Sequence, residues 1–341
     1  MGAGVEGRMT TSGVYSFSVS RDDIIYESMV NVGALGEGET ATAQEVTDCA
    51  RKLNMIVKQW MGKQDFAPGL KMWTRQRGDL FLLSNRGRYL LGPTGDDWAA
   101  DVAASAGSTS LQSRLRTNTG IGSVTIDVGM TFITNFNVGD HVVFQLDVGT
   151  TCSSSVVTVD TIGGTFTIPA STLTGNAGAG NYVYNYTTKG QRPLNILTCV
   201  LRDAFGNDTP LNRMTLEDYE LLPSKGMSSF LSDPTAFYYE SQLTNGVLWL
   251  DVFGAQDVTK YLHIVWLRPV QDFVNPADTP EYPQQWFRPL TWGLSKEIAP
   301  MFDAEWTEDM EDNLNTSLGI AREADSDVSS MYFQVNADGY P

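Results

Sequence analysis

The residues of this chain whose chemistry could drive a reaction are few: His141 and His263, Cys49, Cys152 and Cys199, and adjacent acids such as Asp96-Asp97 and Glu217-Asp218. A hydrolytic triad or a histidine-rich metal centre needs imidazoles brought together, and two histidines this far apart in sequence give either one little raw material. His263 falls among apolar neighbours in 261–267 and reads as a satisfied sheet residue; His141 follows Gly139-Asp140 at a strand start. The cysteines are odd in number, widely separated and without CxxC or Cys/His spacing, so neither a disulfide framework nor a zinc site is expected, and a reducing compartment fits. No GxSxG, HExxH, Walker-A or EF-hand pattern occurs. Gly2, Gly4 and Gly7 spell GxGxxG, but a dinucleotide site requires a strand before its glycines and none is predicted there. Paired acids suit glycoside hydrolysis only when a fold fixes their separation across the substrate, which adjacency does not do. The expectation is a chain that is not an enzyme, with no catalytic residue, metal or cofactor.

Charge narrows the partners. The formal net charge is -17, and a sequence-independent grip on phosphates needs the opposite sign, so the chain as a whole is a poor candidate for tight wrapping of nucleic acid, while an acidic lumen that lets DNA slide fits. Against that trend Lys71, Arg75, Arg77, Arg86 and Arg88 cluster in 71–88, as a solvated hairpin face or as an electrostatic contact with an acidic protein or DNA. No run of about 18 apolar residues occurs and residues 1–13 lack an apolar stretch behind a basic one, so a soluble, unexported protein without membrane contact is expected.

The elements that must position these groups begin with two helices. Ser20 caps the first, with Asp22 and Asp23 in its opening turn, and Gly33 ends it. Thr42 and Glu45 form a capping box for the second, where Val46, Cys49, Ala50, Leu53, Ile56, Val57, Trp60 and Met61 recur at helical spacing as a core-facing stripe. Short apolar segments in 64–92 read as a small antiparallel strand system. From 107 to 188 the composition turns to Gly, Ser, Thr and Val with alternating runs (Val124, Ile126, Val128; Val142, Phe144, Leu146), which predicts an inserted all-β unit, sandwich or barrel. After it come a strand at 196–200, a short helix opened by Thr215 and Asp218, and strands at 237–240, 247–253 and 261–267 read as a meander with Thr244-Asn245-Gly246 as its first turn. Trp286, Leu290, Leu294 and Ile298 then predict a helix in which Pro289 forces a kink or a delayed start. Acids crowd 303–327 around a narrow stripe of Trp306, Met310, Leu314, Leu318 and Ile320, so this last helix is expected to depend on a partner chain.

The segment 191–223, QRPLNILTCVLRDAFGNDTPLNRMTLEDYELLP, resembles the head-to-tail adaptor proteins of short-tailed bacteriophages, also called tail tubular or packaged-DNA stabilisation proteins. The family pattern runs as a basic-Pro-Leu strand, a following Arg, a DTPL-like turn and a short helix ending near Leu-Pro. Arg192, Pro193, Leu194, Arg202, Asp208, Thr209, Pro210, Leu211, Tyr219, Leu222 and Pro223 occupy those places. The likeness continues through 238–250, through Leu267-Arg268-Pro269 and through YPQQWFRPLTWGLSKEIAPMF, where Pro289 departs from the pattern; the two N-terminal helices resemble the family's helical pair, and the insert, with its GDHVVFQLDVG strand, resembles one in larger members.

What the resemblance implies is an α+β subunit with a helical core (N-terminal helical pair plus C-terminal helices), an antiparallel strand meander and an inserted all-β domain. The boundaries are adaptor core 15–106 and 190–302, insert 107–189, and an acidic portal-docking arm 303–341. Such a subunit belongs to a virion, is assembled in the host cytoplasm, and builds a dodecameric ring beneath the portal protein. That ring extends the channel for genomic DNA without reading its sequence, retains the packaged genome and carries the next tail component, whether nozzle, hub, fibre or spike. Leu53, Ile56, Trp60, Trp286 and Leu290 are then the expected ring wall. Trp306, Met310, Leu314, Leu318, Ile320, Tyr332 and Phe333 are the expected portal-docking set, and Lys71, Arg75, Arg77, Arg86 and Arg88 the basic contact patch. The alternative is a receptor- or carbohydrate-binding tail module, drawn from the Gly/Thr-rich insert and from Trp and Tyr residues able to stack on sugars.

Overall fold

A computed structural model describes residues 14–36, 38–62, 72–83, 86–100, 112–203, 205–223, 232–252 and 260–325. The chain is α+β, and it divides into two compact units: one formed by the segments up to Trp73 and from Val270 on, the other by Thr74–Pro269.

The first unit is helical. α1 (Arg21–Asn31) starts where Ser20 accepts from the Asp23 amide while Asp23 accepts from the Ser20 amide, so two otherwise orphaned donors are satisfied reciprocally. Thr42 and Glu45 repeat the device before α2 (Ala43–Gly62), whose stripe of Cys49, Leu53, Ile56 and Val57 is buried as the spacing predicts. A single 3-10 turn, Gln284–Trp286, precedes α3 (Phe287–Ile298), which resolves the Pro289 question as a delayed start. Pro289 then stands in the first helical turn, where its missing N–H has no acceptor to lose. α3 is the hub, packing on α1, on α2 and on α4 (Glu308–Ala324). Small side chains let α1 and α3 approach: Ser28 and Ser295 are fully enclosed, Ser28 donates to the Thr291 carbonyl and Ser295 to the Ser28 carbonyl.

The second unit holds the strands. The first four are β1 (Arg75–Phe81), β2 (Arg88–Leu91), β3 (Trp98–Ala100) and β4 (Gln112–Arg114). Next come β5 (Thr125–Asp127), β6 (His141–Gln145), β7 (Thr151–Ser155), β8 (Thr158–Asp160), β9 (Thr165–Thr167) and β10 (Tyr182–Tyr186). The last are β11 (Asn195–Arg202), β12 (Asp208–Pro210), β13 (Asn212–Arg213), β14 (Ala236–Glu240), β15 (Gly246–Leu250) and β16 (Tyr261–Leu267). A five-stranded sheet, β12-β11-β16-β1-β3, and a four-stranded sheet, β13-β14-β15-β2, enclose one apolar core that includes Trp98, Trp266, Tyr89 and Phe237. The insert has a core of its own, around Phe144 and Phe166, between the sheets β4-β10-β6-β7 and β5-β9-β8.

Two sequence expectations about pairing are corrected here. β14 and β15 form the hairpin expected, with Asn245 in the turn, but β16 does not complete a meander: it lies between β11 and β1 in the other sheet. Likewise the strands of 75–91 do not pair with each other, since β1 joins β16 and β3 whereas β2 joins β15. Alternation of apolar residues marks a strand and its inward face but carries no information about which distant strand lies beside it.

A third apolar cluster ties the insert to the five-stranded sheet. Phe81, Ala99 and Tyr261 on the outer face of that sheet meet Val143, Tyr182, Tyr184 and Tyr186 of the insert, with the Phe81 and Tyr184 rings stacked at 4.3 Å. Asp97 fixes the seam by accepting hydrogen bonds from the Tyr186 hydroxyl at 2.8 Å and from the Ser153 hydroxyl. Burial, with Asp97 beside it, raises the Tyr186 phenol above its ordinary range, so it stays a donor.

Candidate functional site

An open cleft of about 410 Å³ lies between α2, α3 and α4 in the helical unit. Its position follows from local sequence. The α2 stripe turns Ile56 and Trp60 toward α3, and Gly293 leaves room for the Trp60 ring, because a Cβ there would stand 2.8 Å from its Cζ2 atom. α4 starts at the Thr307 cap and lays Leu314, Leu318, Gly319 and Arg322 along the opposite wall. Behind Trp60 the ring of Trp286 stands 6.0 Å away and itself packs on Trp73 and Tyr282, so the floor is a rigid aromatic cluster. On the rim Lys296 binds Glu311 at 2.7 Å and the Trp306 indole donates to the same carboxylate at 2.8 Å. These two bonds, the lysine's first, hold the Glu311 carboxyl below its ordinary range. Chemically the cleft offers mixed surface, with Ile56, Trp60, Leu314 and Leu318 beside Gln59, Lys296, Glu297, Glu311, Asn315 and Arg322.

The predicted residues separate on this geometry. Of the ring-wall set, Leu53, Trp286 and Leu290 are buried inside the helical unit and hold its helices together, while Ile56 and Trp60 line the cleft. Of the docking set, Leu314 is buried and Leu318 half-buried in the cleft wall, and Trp306 and Met310 are half-buried. Ile320 points away at 58% exposure, because the covered stripe of α4 runs through Leu314, Ser317 and Ala321. Tyr332 and Phe333 lie outside the described residues, as does Lys71. The basic residues are not gathered on one strand pair: Arg75 and Arg77 are exposed on β1, while Arg86 and Arg88 belong to the β2 side. Arg86 is committed to Asp96 at 2.6 Å, and Arg88 lies over the Trp249 ring.

Sequence reasoning placed His263 in a sheet but missed its partner. Asp79, only 2% exposed, stands directly opposite it on β1, and its Oδ1 is 2.7 Å from the His263 Nδ1. The available signal was Arg75, Arg77, Asp79 and Phe81 alternating with core residues, which puts a carboxylate on the outer face of β1 without saying what covers it. Elsewhere the nucleophile candidates are sequestered: Cys49, Cys152 and Cys199 are free and buried, and burial pushes the Cys49 thiol up to about 11. Among the described residues no group of three or more His, Cys, Asp or Glu side chains could hold a metal ion, and no helix is long and apolar enough to cross a membrane.

No protein-family model matches the chain, and no curated protein matches it.

Proposed function

We propose that the chain is a structural virion subunit that closes into a ring beneath the portal of a short-tailed bacteriophage. In this role it extends the DNA channel, retains the packaged genome and gives the next tail component its platform. The observation that carries the reading is how segment 191–223 folds. The stretch that resembles the adaptor family runs from β11 to its neighbour β12 in the five-stranded sheet, crosses to β13 at the edge of the four-stranded sheet and ends in a short helix, Leu216–Glu220, capped by Thr215 and Asp218. Two of the residues that carry the resemblance hold the β11–β12 turn, because Arg202 grips Asp208 through two hydrogen bonds of 2.6 and 2.8 Å. A bidentate clamp of this kind fixes the turn geometry in a way that lysine would not reproduce.

A ring subunit needs two different lateral surfaces, since a heterologous contact closes only when its rotation matches the ring. On the helical unit, Tyr26 and Val30 of α1 and Met55 of α2 are exposed apolar residues on faces turned away from the unit's own core, and these, with the cleft, are the lateral contacts of the proposal. The acidic arm after Asp303 faces the portal, and the acidic balance of the chain lets DNA pass without adhering. The binding-module alternative draws less support, because Tyr182, Tyr184 and Tyr186 of the insert are buried in the seam and so are withheld from a sugar.

The test is sedimentation with purified portal, comparing the full chain with one ending after Asp303. The full chain is expected to co-sediment and to show rings in negative stain, and the shortened one to lose most of its binding. Undiminished binding would reject the docking assignment, and absence of rings with portal present would reject the reading.

A further inference from the structure

The sandwich of the second unit carries unlike surfaces on its two outer sides. On the five-stranded sheet the insert covers the end around Phe81 and Tyr261. Toward the other end, cross-strand register sets Arg77 beside Val265 and Arg75 beside Leu267 on the outward face, and the irregularity in β11 between Ile196 and Thr198 leaves Leu197 exposed near them. Both arginines are exposed and Val265 and Leu267 are half-buried, so this end is an aliphatic strip with a basic border. The short helix Leu216–Glu220 lies on the opposite side of the sandwich. Tyr219 packs against Tyr238 and Trp249 at 6.0 and 5.5 Å, and those two rings point away from the core because Phe237, Tyr239, Leu248 and Leu250 point into it. With Tyr219 buried, Leu216, Glu217, Glu220 and Leu221 are left exposed as an apolar and acidic face.

We infer that these two surfaces meet between copies of the chain, the face of Leu216, Glu217, Glu220 and Leu221 on one copy seated on the strip bordered by Arg75 and Arg77 on the next. The chemistry matches part by part: two leucines for the aliphatic strip, two carboxylates for two guanidinium groups. Neither Arg77 nor Glu217 has an ion pair among the described residues, so a bond between them displaces no internal one. A second copy is the occupant because both halves stand on one polypeptide, on opposite sides of a single core. Unlike surfaces that face opposite ways make a head-to-tail contact, which repeats from copy to copy and closes when its rotation fits a ring. Exposed ion pairs add little affinity, so the leucines supply the attraction, while the charges decide which faces meet and reject like-charged pairings. The inference rests on the ring reading for closure, and it adds to the contacts of the helical unit a specified pair on the sandwich.

Charge exchange in the full chain, assembled with portal, tests the pairing. Arg77→Glu and Glu217→Arg are each expected to raise the chain concentration at half-assembly about tenfold. The chain carrying both is expected to recover most of that loss, because every contact then regains an opposite pair. Should a reversal disturb folding, cysteine linking decides. The full chain with Leu197→Cys and Leu221→Cys is expected to give a ladder of linked multimers on mild oxidation, and a chain with either substitution alone to give none. Assembly unmoved by either reversal, a double reversal no better than the singles, a missing ladder or a link formed with one substitution alone would overturn this contact and leave the ring reading standing. An unsubstituted chain that stays monomeric with portal would overturn both.

Discussion

Asp79 and His263 set the energetics at the residue scale, because a carboxylate buried in the middle of β1 needs a polar partner and the imidazole opposite supplies a hydrogen bond to it. Removing one partner of such a buried pair leaves the other without its hydrogen bond. His263→Ala is therefore expected to destabilise the sheet unit by about 3 kcal/mol in urea unfolding, and a double replacement of both residues by leucine to recover most of the loss. The helix caps give a second prediction. Asp23 and Glu45 have carboxyl groups held below the ordinary range, chiefly by the backbone amides of Ser20 and Thr42 and then by their hydroxyls. A depressed folded value means that the contribution is complete above the unfolded value and is lost as the pH falls through the folded one. The melting temperature is thus expected to be flat above about pH 5 and to fall below about pH 4, with a shallower acid limb in a Thr42→Ala variant. The caps were readable from sequence because donor and acceptor stand three residues apart. The Asp79 pair was not, because nothing local to 75–81 names a partner on 261–267.

At the scale of elements, the account rests on how α2, α3 and α4 meet. Gly293→Ala would place a methyl group 2.8 Å from the Trp60 ring, inside contact distance, so the ring or the helix must shift. The expected outcome is a loss of about 1–3 kcal/mol with a changed tryptophan emission, whereas Gly319→Ala in a chain ending after Asp325 is expected to gain about 1 kcal/mol from helix propensity alone. Thermal unfolding of the two variants separates a glycine required by packing from one that is not. Periodicity located every long helix, and the cap of Thr215 and Asp218 the short one at Leu216–Glu220; α3 has no side-chain cap and was legible from its stripe alone. Periodicity also located most strands, but it misjudged the partners of β16, β1 and β2. Residues of β16 are covered on both faces, by the sandwich core and in part by the insert seam, and a strand covered on both sides carries no local mark of its neighbours. The partner-dependence foreseen for the last helix is modified in the same way: Leu314 and Ala321 of α4 are already covered within the chain.

For the whole molecule, the insert is the part whose removal speaks most plainly. Its core is separate, but Tyr184 and Tyr186 also cover Phe81 and Tyr261 of the five-stranded sheet, so excision between Gly107 and Lys189 is expected to leave a folded but less stable chain that still assembles. Calorimetry together with negative stain would register both halves of that outcome. The central claim concerns what the exposed apolar faces are for, and native mass spectrometry of the purified chain with and without portal tests it most directly. The account predicts one closed species of fixed subunit number when portal is present, formed by the full chain and by the insert-excised chain alike. A chain that stays monomeric at every concentration with portal added would contradict it.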